Sequence, residues 1–355
     1  MKKHLRKLHK GHHRRLKPLS PKAKKIANDV GTATKGFFRF LRDWSLPISI
    51  LAGLTGYFIA REIPFLFAHR ETAASVVTTI QPILIFAMLY ITFCKVDIRD
   101  LHLHRWHLHL LLIQAGAFAL LSLVVILFPT LSWRVVVEGA MLCMICPTAT
   151  AAVVITSKLG GDTASLTTYT ILINLAVSLV VPVLVPLVNP QSGATFISSF
   201  LLIIYKVFPL LMFPLLLAVL TRRFAPWLHR LVLACKGLAF YLWIVNLSLA
   251  IAVTTRSIAH TRISVWLLCA IGLGSLVCCI VQFYVGHRVG EHYGCPIAAG
   301  QSIGQKNTVF AIWMGYTFLT PVSAVAGGFY SVWHNVYNSW QLYQKRKEDA
   351  KIAST

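Results

Sequence analysis

Three ionisable side chains stand well inside apolar stretches of this chain: Glu138, Lys206 and Lys306. A charge held in hydrocarbon is costly, so such groups tend to mark a path for ions or polar solutes. Glu138 lies near the outer end of its stretch, within reach of water, and Lys206 is long enough to snorkel to an interface. Lys306 is different, because Gln301, Ser302, Gln305 and Asn307 surround it in the sequence. It is expected to face a central cavity, as a fixed positive charge or as a group that exchanges a proton. Cys143-Met-Ile-Cys146 has metal-like spacing, yet no second Cys/His pair accompanies it, and packing is its expected role. His102, His104, His107 and His109 fall in one loop and are read as a solvated, titratable group. The eight cysteines do not form a disulfide pattern, since most fall within or beside apolar stretches.

The elements that hold these residues are membrane spans. Of 355 residues, 56% are hydrophobic and 13% charged, too little polar surface for a soluble enzyme and too much apolar mass for a disordered chain. Ten apolar runs have the length of a bilayer-crossing helix, near 45–61, 72–94, 107–128, 133–157, 163–188, 196–220, 238–255, 264–286, 296–318 and 321–343. No signal peptide is evident before them. The net charge of +23 is concentrated ahead of the first run, where residues 1–43 hold fourteen of the 34 Lys/Arg. That tail is read as a topology determinant and a contact for anionic lipid headgroups, not as a nucleic-acid site. A helix from about Ala23 to Phe40 is expected to lie along the membrane surface. Loop charges point the same way. Lys95, Arg99, Arg105, Lys158, Arg222, Arg223, Arg230, Lys236, Arg288 and the C-terminal lysines and arginine share one side. Arg61, Arg70, Arg134, Arg256 and Arg262 share the other. Both termini are therefore expected in the cytoplasm, with the body in the inner membrane.

Two runs are interrupted by small and polar residues. The fourth contains Cys146-Pro-Thr-Ala-Thr-Ala-Ala152. The ninth contains Cys295-Pro-Ile-Ala-Ala-Gly-Gln-Ser-Ile-Gly-Gln-Lys-Asn307. Proline removes a backbone hydrogen bond, and freed backbone groups survive at depth only inside protein or beside a wet cavity. Breaks in the fourth run of each five predict two inverted five-span repeats, the plan of secondary transporters, with the two Cys-Pro pairs as matching starts.

These residues resemble the bile acid:sodium symporter family over roughly 44–343. Ser331-Val-Trp-His-Asn335 is similar to that family's span-10 motif. Pro147-Thr-Ala-Thr-Ala-Ala-Val153 with Gly161-Asp162 resembles its span-4 segment, and Ser302-Ile-Gly-Gln-Lys-Asn307 its Glu-x-Gly-x-Gln-Asn pattern. The resemblance implies an all-α membrane fold of ten helices in two inverted repeats (44–188 and 196–343), between tails 1–43 and 344–355. Broken helices 4 and 9 would cross in a core, beside a panel of spans 1, 2, 6 and 7. It also implies substrate contacts at Thr150, Asn307, His334 and Asn335, with coupling positions at Lys306, Gln114, Ser302, Gln305 and Thr170.

The departures from the family lie at the ion sites. Its sodium ligands are replaced by Ala152, Val153, Leu166 and Ser302, with Thr170 kept, and Lys306 stands where relatives carry Gln. A hard cation wants several oxygens, usually with a carboxylate. Sodium is therefore not expected in the family's manner, no other cofactor is expected, and proton coupling through Lys306 is the alternative. The functional expectation is a secondary transporter of an organic anion, not an enzyme. No phosphate-binding loop or nucleophile–base pair is present. Arsenite-type efflux, suggested by Cys146 beside the break, and a non-transporting membrane sensor are the other readings.

Overall fold

The computed structural model describes residues 44–190, 193–235, 237–261 and 263–354. The basic tail and its expected surface helix, Lys236 and Arg262 lie outside the described residues. The chain divides into two units, Met1–Ile48 and Ser49–Thr355. Of the first, 44–48 are described, leading into a helix.

The described elements are helical. They are α1 (Ser45–Glu62), α2 (Pro64–Ala68), α3 (Arg70–Cys94), α4 (Arg105–Leu127), α5 (Arg134–Ile145), α6 (Ala152–Leu159) and α7 (Thr163–Val188). After these come α8 (Phe196–Phe224), α9 (Pro226–Ala234), α10 (Leu238–His260), α11 (Val265–His292), α12 (Pro296–Gly304), α13 (Thr308–Phe318) and α14 (Val325–Ser354). Among the described residues six helices, α3, α4, α7, α8, α10 and α11, are long and apolar enough to cross a bilayer. The protein is an all-α, multi-pass membrane protein.

Helix occupies each of the ten apolar runs. Four helices, α8, α10, α11 and α14, continue past the apolar stretch into charged sequence such as Arg222–Arg223. Apolarity sets the depth in the bilayer, whereas helix continues until a cap or turn stops it. Asp162 starts α7 as an N-cap, its carboxylate accepting the N–H groups of Ala164 and Ser165 at 2.9 and 3.1 Å.

The fourth run splits into α5 and α6, the ninth into α12 and α13, and the two splits have different causes. Cys146 precedes Pro147 and is held extended (φ −50°, ψ 132°), since a residue before proline is disfavoured in the helical region. Pro296, in contrast, opens α12 at its first turn, where its missing N–H costs nothing. The ninth run breaks only after Gly304 and restarts at Asn307, whose side chain caps α13 through the Phe310 N–H at 3.3 Å. The two Cys-Pro pairs are therefore not equivalent, which corrects the match drawn from sequence. Pro82, Pro182, Pro186, Pro209 and Pro214 lie inside continuous helices, so proline alone does not break a run here.

Packing gathers α4–α7 with α11–α14, while α3 packs on α8 and α10. Within the first set α11 and α12 approach most closely. A Cβ on Gly286 would stand 2.7 Å from the Ala299 carbonyl, and one on Gly290 would stand 2.6 Å from Pro296 Cα. Cys143, Ile271, Cys278, Cys279, Phe283, Ala326 and Tyr330 form a buried cluster joining α5, α11 and α14. The two sets meet where α7 lies on α8, where α3 and α10 touch α13, and where α10 touches α14.

Two expectations change. Glu138 does not reach water: it is buried, paired with Arg134 at 2.9 Å, and accepts from Thr320 Oγ1 at 3.3 Å. Arg134 also donates to the Pro129 and Val188 carbonyls, so this group ties the start of α5 to the end of α7 and the approach to α14. His107 is not a solvated loop residue either. It lies in the first turn of α4, buried, with Nε2 2.9 Å from Ser165 Oγ, because the helix begins at Arg105 and turns that side chain towards α7. His102, His104 and His109 are exposed. Lys206 is exposed on α8 with its ammonium 5.8 Å from the Phe318 ring centroid.

Candidate functional site

An α-helix leaves its last carbonyls without partners in the helix, and at depth in a membrane each must find a donor. At the end of α5 every carbonyl from 143 to 147 has one. Cys143 accepts from Gln282 Nε2 of α11 at 3.3 Å, and Met144 from Lys306 Nζ at 3.2 Å. The Ile145 and Cys146 carbonyls accept from Gln114 Nε2 of α4 at 3.2 and 3.0 Å. The Pro147 carbonyl accepts the Asn307 N–H at 2.8 Å. The end of α12 is treated alike. Ser302 accepts from the Thr148 hydroxyl at 2.5 Å, Gly304 from the Tyr330 hydroxyl at 2.8 Å, and Gln305 from the Ala149 N–H at 2.8 Å.

The two interrupted helices thus cross through an isolated antiparallel bridge, with Thr148 opposite Lys306. The bridge is flanked by the Ala149–Gln305 and Asn307–Pro147 bonds. Lys306 is 1% exposed. Among the described residues its ammonium meets the Met144 carbonyl and no carboxylate. A positive group at a helix C-terminus interacts favourably with the partial negative charge there. The antiparallel pairing sets the start of α13 beside the end of α5 and the start of α6 beside the end of α12, with Thr150 half-buried just ahead of α6. The Cys146 thiol, buried, donates to the Asn307 carbonyl at 2.7 Å.

Six of the nine residues singled out from sequence stand at or beside this crossing: Thr150, Gln114, Ser302, Gln305, Lys306 and Asn307. Thr170 and Asn335 do not reach it by their side chains. Thr170 Oγ1 donates to the Leu166 carbonyl at 2.9 Å and Asn335 Nδ2 to the Ser331 carbonyl at 2.6 Å, each within its own helix. Short polar side chains on a helix bond back to the preceding turn whenever no nearer partner exists. His334 is buried on α14, its ring edge-on to Tyr330 at 5.6 Å.

Sequence reasoning missed Gln282, Thr148, Tyr169 and Tyr330. Gln114 accepts from the Tyr169 hydroxyl at 2.8 Å, and Gln282 donates to the Tyr330 hydroxyl at 3.1 Å. A Gln on the third span and a Tyr on the fifth therefore pair in each half of the chain. A lone polar residue in the middle of an apolar run was the available signal.

The donor set bears on the sodium that the resemblance implies. Gln114 presents its N–H groups to the carbonyls and spends its oxygen on Tyr169, while Lys306 presents an ammonium. Carbonyls already capped by donors, without a carboxylate, do not suit a hard cation. The chain matches no known protein-family model and no curated protein sequence.

Proposed function

We propose that the protein is a secondary transporter of an organic anion, a carboxylate or an amphipathic acid, working by alternating access in the inner membrane. In this reading the ten spans form two inverted five-span repeats. The set holding α4–α7 and α11–α14 is the core, α1, α3, α8 and α10 are the panel, and both termini are cytoplasmic. The observation that carries the reading is the crossing itself: two interrupted helices joined at Thr148 and Lys306. Half-helix ends meeting at mid-depth are how membrane carriers offer charge to a solute.

The sign of the site favours an anion. Lys306 supplies a positive charge when protonated, and the N-terminal ends of α6 and α13 add partial ones. Thr150, Asn307 and His334 would meet the substrate as the core moves against the panel. Lys306 would act through its field and by holding the end of α5, so that no sodium ion is needed. Proton movement on Lys306 is the remaining coupling mode. The engaged, buried Cys146 thiol weighs against arsenite-type efflux.

The test is a thermal shift of the purified protein against a panel of organic anions, in sodium and in choline. Binding at a hundredfold excess over Kd stabilises by about 2.7 kcal/mol. The expected result is stabilisation of equal size in both salts, followed by uptake into sodium-free proteoliposomes. No stabilising anion, or uptake only on a sodium gradient, overturns the reading.

A further inference from the structure

Helix α9 joins α8 to α10 and packs on α8 and α3, yet none of its residues is buried. Leu228, His229 and Val232 are half-buried. His229 Nε2 donates to the Cys94 carbonyl at 2.9 Å, so this side of α9 is turned to the end of α3. Arg222, in the last turn of α8, donates to the Cys94 and Val96 carbonyls as well. Carbonyls at a helix end lack partners in the helix, and these two residues supply them. The other side of α9 carries Trp227, Arg230, Leu231 and Ala234 at steps of three and four, which places them on one face. Trp227 and Leu231 are 66% and 54% exposed, and Phe224 at the end of α8 is 77% exposed.

The same end of the molecule is positive. Lys95, Arg99, Arg222, Arg223 and Arg230 stand against Asp97 and Asp100, and Asp97 is engaged by Arg222 at 3.4 Å. Arg223 and Arg230 are exposed, and among the described residues neither forms an ion pair. The level of α9 is set by its neighbours. One residue separates it from α8 and three from α10, and both are long and apolar enough to cross a bilayer. A free anion or an acidic cytosolic protein would account for the arginines but not for the row of Trp227, Leu231 and Phe224 beside them. A phospholipid accounts for both, because its phosphate suits a guanidinium and its acyl carbons suit the rings and the leucine. Tryptophan and arginine are also the residues that settle at the bilayer surface, each with an apolar body and a polar end.

We propose that α9 is an interfacial helix that binds anionic phospholipid of the cytoplasmic leaflet. Arg223 and Arg230 meet the headgroup phosphate, while Trp227, Leu231 and Phe224 lie among the upper acyl carbons. The lipid holds α8 and α10 through the chain itself and α3 through His229 and Arg222. Three helices of the panel are thereby fixed to the bilayer surface as one unit, against which the core moves in the transport reading. The inference rests on the membrane embedding and orientation proposed above, not on the identity of the solute.

The test uses the full chain in nanodiscs of mixed phosphatidylcholine and phosphatidylglycerol, with native mass spectrometry reading which lipid stays bound. The parent is expected to retain phosphatidylglycerol about tenfold better than the Arg223→Gln, Arg230→Gln variant, and inorganic phosphate is not expected to displace it. Equal retention by the two proteins, or displacement by phosphate, overturns the lipid site. A nitroxide on Leu231→Cys gives a second reading that leaves the charges in place. The same chain carries Cys235→Ser, Cys269→Ser and Cys295→Ser, since the remaining cysteines are buried. Collisions with oxygen are expected to exceed those with an aqueous nickel chelate, as for a face sunk about 5–10 Å into the headgroup boundary. The reverse order puts Leu231 in water, open to a cytosolic protein, and overturns the proposal. Lipid preference without anion uptake would sink the transport reading alone, and uptake without lipid preference would sink only the lipid site.

Discussion

At the scale of single residues, the end of α5 is held by side chains from three other elements, and each can be removed separately. Lys306→Ala leaves the Met144 carbonyl bare and takes away the positive charge beside it. An unsatisfied buried group costs about 1–3 kcal/mol, so the melting temperature should fall. It should then recover in part in sodium but not in choline, because the freed Met144 carbonyl becomes available to a small cation. The parent protein should melt alike in both salts; a sodium-dependent rise in the parent would show that the ammonium does not stand in for an ion. Gln114→Ala strips two carbonyls and strands the Tyr169 hydroxyl, and a loss of about 2 kcal/mol in denaturant unfolding is expected. Gln114→Leu, similar in size, should rescue little, because packing is not what the glutamine supplies.

Among the elements, α11 and α12 lie together only because glycine occupies the contact. Gly290→Ala drives a methyl group into the backbone of Cys295 and Pro296, a strain of about 1–3 kcal/mol, and should lower thermal stability without touching the crossing. Gly116→Ala, where nothing lies within 4 Å, is the matched control and should be close to neutral. Glu138→Ala should cost about 1–3 kcal/mol, since it leaves Arg134 unpaired between α5 and α7. Much of this level could be read from sequence. Apolar length fixed the runs, and the polar residues of the fourth and ninth runs announced where they part. The position of the second break could not be read, because it turns on Gly304 and on Asn307 acting as a cap, whereas Pro296 looked like the stronger signal. The partners of the carbonyls were illegible for a related reason. A glutamine in an apolar run shows that some backbone group needs a donor, but not which one, since the partners lie 26 to 162 positions away. Glu138 and His107 were misjudged because sequence does not give a side chain's direction, and a buried neighbour claimed each; for the same reason sequence does not show that Thr170 and Asn335 bond back to their own helices.

On the scale of the whole molecule, alternating access requires the set around the crossing to move against α3, α8 and α10. Their boundary is a place to stop that motion. A Cβ at Gly328 of α14 would stand 3.9 Å from Thr254 Cγ2 of α10. The Gly328→Cys, Thr254→Cys double variant, joined by oxidation or a short bis-thiosulfonate, should abolish uptake, and reduction should restore it. Uptake unchanged in the joined protein would mean that these helices do not part. The crossing also has a consequence for how the protein is made. Three of the four residues that complete the end of α5, namely Gln282, Lys306 and Asn307, belong to the second half of the chain. Until those residues are synthesised and inserted, the first half has its α5 carbonyls uncovered, supported only by Gln114. A chain ended near Pro190 should therefore be degraded quickly in pulse–chase, and co-expression of the second half as a separate chain should extend its lifetime.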